Sequence, residues 1–301
     1  MYRNLNAPSL GVSGRQNELI EMALTYKFEG FDIDFGQFFE QAKSRGLDYA
    51  KRFVESANIR VGGFELPVCW KANPSEFQTQ LAEISQMAEM AAAIKADRCH
   101  VCVPSVTDER PYHEYFEFVR ERISQIAAVL NAHSIQIALG FEAKTPESET
   151  EKVPFIVTPE NLVTLMKTVN ESNVGICVDL WNWHVAGGTI EQIKELDSSQ
   201  IKMVRLADLP ADSDLSTASV KDRLLPASTG VLASHELIEV LEQKNYNGPI
   251  SAYGHPSQFE GMKPNQIISS VVDSLKQAFD PTPVADNDDT DSVDAELATS
   301  A

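Results

Sequence analysis

The densest run of chemically capable side chains is Val178-Asp179-Leu180-Trp181-Asn182-Trp183-His184. An apolar stretch that delivers a carboxylate and then Trp, Asn, Trp and His is costly packing unless its end faces a pocket. Aromatics with a few convergent polar groups are what a small-ligand site is built from. The plainer alternative is an aromatic cap, with Asp179 tying down loop amides. Other apolar runs end in a similar way. One closes in Gly140-Phe141-Glu142-Ala143-Lys144. Another closes in Val204-Arg205-Leu206-Ala207-Asp208, followed by a long segment holding Arg223. A third closes in Ser251-Ala252-Tyr253-Gly254-His255, and an earlier one in Glu65, with Trp70 and Lys71 just beyond. Carboxylates so placed can move protons, and guanidinium groups can stabilise developing negative charge or hold an anionic group. Blander roles stand beside these. Glu65 is as well explained by capping a loop, Lys71 and Lys144 by facing solvent, and His100 and His133 by structural positions on a strand and a helix end.

The elements that must position these residues alternate along the chain. Strands are expected at about Leu5–Val12, Gly30–Phe35, Arg60–Val68, Arg98–Pro104, Ile135–Glu142, Val174–Asp179, Ile201–Asp208 and Pro249–Tyr253. Amphipathic helices are expected near Arg15–Phe28, Gln37–Ala57, Pro74–Lys95, Tyr112–Ala132, Pro159–Glu171, Thr189–Leu196, Ser234–Lys244 and Pro264–Phe279. Strict β-then-α order implies a parallel sheet with right-handed crossovers. Eight units in 301 residues favour a closed α/β barrel, the (β/α)8 TIM barrel, as a single domain. Pro74, Pro159 and Pro264 suit the first turns of helices. The barrel is expected over residues 1–279, followed by an acidic, disordered tail over 280–301. In such a barrel the active site lies at the carboxyl ends of the strands, which is where the candidates fall.

The run VGICVDLWNWHVAGG resembles the sixth-strand signature of the xylose-isomerase-like TIM barrel superfamily, the sugar phosphate isomerase/epimerase and AP endonuclease family 2-like group. IALGFEAKTP, IKMVRLADLPA, DRLLPASTGVL and YNGPISAYGHPSQF resemble its fifth, seventh and eighth strands and the loop between the last two. The resemblance spans residues 5–279 and marks a divergent member. It implies a divalent metal (Mn, Mg or Co) held by a Glu, an Asp, a His and a Glu on strands five to eight. Glu142 and Asp179 match the first two positions, while Arg205 and Tyr253 stand where the His and the second Glu belong. Arg223 matches the family's loop arginine, and Asn182 replaces a His. Arginine cannot ligate a cation, so Arg205 is expected to take the metal's place and neutralise Glu142 and Asp179. If a metal is retained, Glu142 and Asp179 are its ligands, with His184 or His255 able to join them.

The implied chemistry is proton transfer next to a carbonyl on a sugar, keto-sugar or polyol, by an isomerase, epimerase or lyase. Glu142 is the expected base or acid. Tyr253 is the partner acid, its phenol made more acidic by Arg205. Trp181, Asn182, His184, Arg205, Asp208, Arg223 and His255 are expected to contact the carbohydrate-like substrate. The competing class is a barrel that binds a sugar or a protein and has lost the chemistry.

The net charge of -19, from 44 acids and 25 bases, disfavours nucleic acid and anionic membranes as partners. It does not exclude a phosphorylated substrate. Cys69, Cys99, Cys102 and Cys177 all sit in or beside apolar runs and are expected to be reduced core thiols. Cys99 and Cys102, three apart on a strand, face opposite sides. No run is long enough to span a membrane, so a cytoplasmic location is expected. Barrels of this kind often pair, which leaves a homodimer open.

Overall fold

A computed structural model describes residues 1–145 and 152–281. The acidic segment 282–301, which makes up most of the expected tail, lies outside the described residues. Eight parallel strands close on themselves in sequence order: β1 (Tyr2–Leu5), β2 (Gly30–Asp32), β3 (Arg60–Glu65), β4 (Arg98–Cys102), β5 (Gln136–Gly140), β6 (Val174–Asp179), β7 (Ile201–Leu206) and β8 (Pro249–Ala252). The barrel shuts where Arg3 pairs with Ile250 and Asn4 with Ser251. Between the strands lie α1 (Gln16–Thr25), α2 (Phe35–Arg45), α3 (Leu47–Ala57), α4 (Pro74–Ala93), α5 (Tyr112–Asn131), α6 (Pro159–Val169), α7 (Leu180–Val185), α8 (Ile190–Lys194), α9 (Ser234–Gln243) and α10 (Pro264–Phe279).

Strand alternation divides the core in two. Ala138, Cys177 and Met203 form a small buried cluster of their own. Their neighbours Ile137, Leu139, Ile176, Val178, Val204 and Leu206 belong to the large cluster shared with the helices. Pro74, Pro159 and Pro264 occupy first-turn positions of α4, α6 and α10, as expected.

Three local expectations are corrected. The helix expected over 37–57 is two helices, because Gly46 adopts φ +90° and breaks the ladder between α2 and α3. The first strand lies at Tyr2–Leu5 rather than 5–12. Pro8, which lacks an N–H, opens a 3-10 turn that ends at Gly11 with φ +70°. A short helix, α7, follows β6 directly, where no helix was expected before Thr189.

Candidate active site

A cavity of about 1040 Å3 opens at the carboxyl end of the barrel. Every strand or its end supplies it with a polar side chain: Asn6 after β1, Asp32 on β2, Glu65 on β3, His100 and Cys102 on β4, Glu142 after β5, Asp179 on β6, Arg205 on β7 and Tyr253 after β8. The loops add Asn182, Arg223 and His255.

Two ion pairs organise the charge. Asp179 Oδ2 meets Arg223 Nη1 at 2.9 Å, with both side chains buried. Asp179 Oδ1 accepts the backbone N–H of Asn182 at 3.0 Å, which caps α7. Asn182 Oδ1 in turn accepts the N–H of Ala143 at 3.1 Å and so steadies the segment that carries Glu142. The second pair crosses the lumen. Arg205 Nη2 donates to Glu65 Oε1 at 2.5 Å, while His100 Nδ1 stands 2.6 Å from Glu65 Oε2. Both guanidinium groups lie over the Tyr253 ring, at 5.1 Å for Arg205 and 4.4 Å for Arg223. Glu142 makes no hydrogen bond or ion pair among the described residues, although it lines the same cavity.

This differs from the expected network. Arg205 pairs with Glu65 rather than with Glu142 and Asp179, because its guanidinium reaches from β7 to β3. Asp179 takes Arg223 instead, and Glu142 is left open. Tyr253 is corrected too. Burial raises its pKa, and the opposing pull of Arg205 and Arg223 does not reverse that, so the phenol stays protonated. Burial alone would raise Glu65 as well, but His100 and Arg205 hold it down to about 2.

Three expected contact residues lie outside the cavity lining. Trp181 is fully buried behind Arg223, whose guanidinium stacks 4.8 Å from its ring. His184 sits three residues further along α7, on the helix face that Trp181 shares and Asn182 does not. Asp208 faces away from the lumen. Its carboxylate accepts the backbone N–H groups of Leu209, Thr229, Gly230 and Leu232 at 2.8–2.9 Å. We expect Asp208→Ala to strip four amides of their acceptor and to lower stability by about 2 kcal/mol in urea unfolding. His255 does line the cavity, with Nδ1 2.7 Å from Ser257 Oγ. The thiols also divide differently from expectation. Cys99 and Cys177 are buried, but Cys69 and Cys102 are exposed, and Cys102 opens onto the cavity. Lys71 and Lys144 are exposed and outside the lining.

Sequence reasoning passed over Asp32 and underrated Glu65 and His100. The signal was the alternation of β4, in which His100 shares the inward face with Cys102, and the Asn4-x-Asn6 pattern at β1. Asp32 Oδ1 accepts from Asn4 Nδ2 at 2.7 Å and Oδ2 from Asn6 Nδ2 at 2.8 Å. Burial nevertheless raises it to about 6, against those donors and Arg205.

This sets a pH dependence. An unfolded Asp ionises near 4, so between about pH 4 and 6 the folded chain binds more protons. Its stability therefore falls as pH rises through that window and stays lower above it. We expect Asp32→Asn to be more stable than the parent at pH 7.5, by about 3 kcal/mol at most, and to show no such advantage at pH 3.5. Asn4 Oδ1, buried without a partner, can accept from the new amide once the Asn4 amide turns over. Urea unfolding at the two pH values checks this, and an equal difference at both would refute it.

Among the described residues no three His, Cys, Asp or Glu side chains converge as a metal site, and no helix is long and apolar enough to cross a membrane. The model of the family described as "Xylose isomerase-like TIM barrel" matches residues 20–278. The chain is 22% identical over 245 residues to an inosose isomerase of Halalkalibacterium halodurans, covering 81% of each. It superposes on a xylose isomerase domain protein from Alicyclobacillus acidocaldarius with TM-score 0.81 at 18% identity, covering 92% of this chain and 98% of that one. On the IOLI protein with a binding zinc atom the TM-score is 0.76 at 17% identity, covering 92% and 98%. A family model that runs through nearly the whole barrel, together with these likenesses, makes the chain a member of the xylose isomerase-like TIM barrel family.

Proposed function

We propose that this cavity moves a proton next to a carbonyl on a small polyhydroxylated ketone, such as an inosose or a keto-sugar, as an isomerase or epimerase, and does so without a divalent cation. The observation that carries the reading is Glu142. It is a carboxylate open to the cavity, free of any cation or donor among the described residues, in a site that holds two arginines. The likeness to an inosose isomerase supports the substrate class.

The donor set does not fit the metal that the family resemblance implies. Both oxygens of Asp179 are engaged, one by Arg223 and one by the amide of Asn182. Arg205, where the family's His belongs, is a fixed positive charge with no lone pair to offer. Tyr253, where its second Glu belongs, keeps its proton.

In the proposed reaction the Glu142 carboxylate takes the proton from carbon, and the electron pair moves into the adjoining carbonyl. The negative charge that develops on oxygen meets guanidinium groups already fixed in place by Glu65 and Asp179, so little reorganisation is needed. The protonated Tyr253 can donate a hydrogen bond to the same region. Return of the proton to the neighbouring carbon gives the isomer, and delivery to the same carbon from the opposite face gives the epimer.

A second reading, a barrel that binds such a ligand without turning it over, is favoured by one observation: each arginine already has its own carboxylate. Proton NMR in D2O with an inosose and a panel of ketoses separates the two. Deuterium entering next to the carbonyl supports catalysis. A thermal upshift with no exchange supports the binder. Stoichiometric Mn, Mg, Co or Zn in the purified protein would sink the cation-free part.

A further inference from the structure

Glu65 and His100 line the cavity but have no proton-moving task in the reading above. They are partners across β3 and β4. Glu65 spans a guanidinium and an imidazole, with Oε1 2.5 Å from Arg205 Nη2 and Oε2 2.6 Å from His100 Nδ1. An ionised carboxylate can only accept, so Nδ1 must carry the hydrogen of that contact. Nε2 is then the ring nitrogen left to gain and lose a proton. Nε2 makes no hydrogen bond among the described residues. It sits against β5 where that strand has no side chain, since a Cβ on Gly140 would lie 2.1 Å from it. Glu142 follows two residues later on the same strand end and lines the same cavity.

Isomerisation needs a second group that both gives and takes a proton at oxygen. Tyr253, held protonated, can give but is poorly suited to take. We propose that His100, oriented by Glu65, is that second acid–base group, exchanging its proton at Nε2 with the substrate's oxygens. Glu65 and Arg205 act as positioning residues. This rests on the reading that the cavity moves a proton next to a carbonyl.

The step balances. Glu142 takes the C–H proton, the C–H electron pair becomes the enediol double bond, and the carbonyl π pair takes the Nε2 proton of the imidazolium. The neutral imidazole then removes the proton from the neighbouring hydroxyl, and Glu142 returns its own to the neighbouring carbon. Both groups end as they began.

The test combines deuterium exchange into an inosose with nitrogen-15 NMR of the full-length chain. His100→Asn and His100→Gln, with melting temperatures showing that they fold, are expected to lose exchange by about a hundredfold or more. Glu65→Gln is expected to lower kcat rather than raise KM, and to shift the neutral His100 ring from the Nδ1–H to the Nε2–H tautomer. Exchange within about threefold of the parent in both His100 variants overturns the proposal alone. So does an unchanged tautomer in Glu65→Gln. A parent protein that exchanges no ketone in the panel brings down the functional reading, and this proposal with it.

Discussion

Glu142→Gln is expected to slow deuterium exchange into an inosose by about a hundred- to ten-thousandfold, the range in which a positioned acid–base group contributes. The change should fall on kcat and kcat/KM together, because the carboxylate acts on the transition state rather than on binding. Stability should barely move, since Glu142 is exposed to the cavity and supports no neighbour among the described residues. That separation makes the experiment decisive. A variant that melts like the parent and exchanges like it removes Glu142 from the mechanism.

The second large effect is structural. Arg223→Met should cost about 3–5 kcal/mol, because it leaves the buried Asp179 carboxylate without its cation. The loss reflects the stranded charge more than the worth of the pair. Adding Asp179→Asn should therefore recover much of it, since an amide keeps an oxygen to cap α7 at the N–H of Asn182. Urea unfolding of the two single variants and the double variant measures this. A cost below about 1 kcal/mol for Arg223→Met would show that the pair is solvated.

The barrel was legible because each β-then-α unit carries its own period and its own stops. β6 fell at Val174–Asp179 as expected, since an unbroken apolar run ends sharply at a carboxylate. β1 was misplaced because Asn4, an inward-facing polar residue, makes its strand look like a loop. Strand ends that close a long apolar run directed attention to Glu142, Asp179 and Arg205, all of which line the cavity, but Asp32 at the end of the three-residue β2 was passed over. Asp208 shows the limit. It sits at a strand end and is chemically capable, yet one position of pleat turns it outward to four loop amides. Pairing was harder still. Arg205 is the register neighbour of Asp179, but it reaches across to Glu65, 140 positions away in the chain. No periodicity encodes a contact across a lumen.

Arg205 has a consequence of its own. In this cavity the central positive charge is a side chain, joined to the backbone by covalent bonds. It cannot be swapped for the wrong ion, washed out on dilution or stripped by a competing chelator. That one charge is set when the chain is synthesised, and scarcity or excess of metals in the surroundings leaves it where it is.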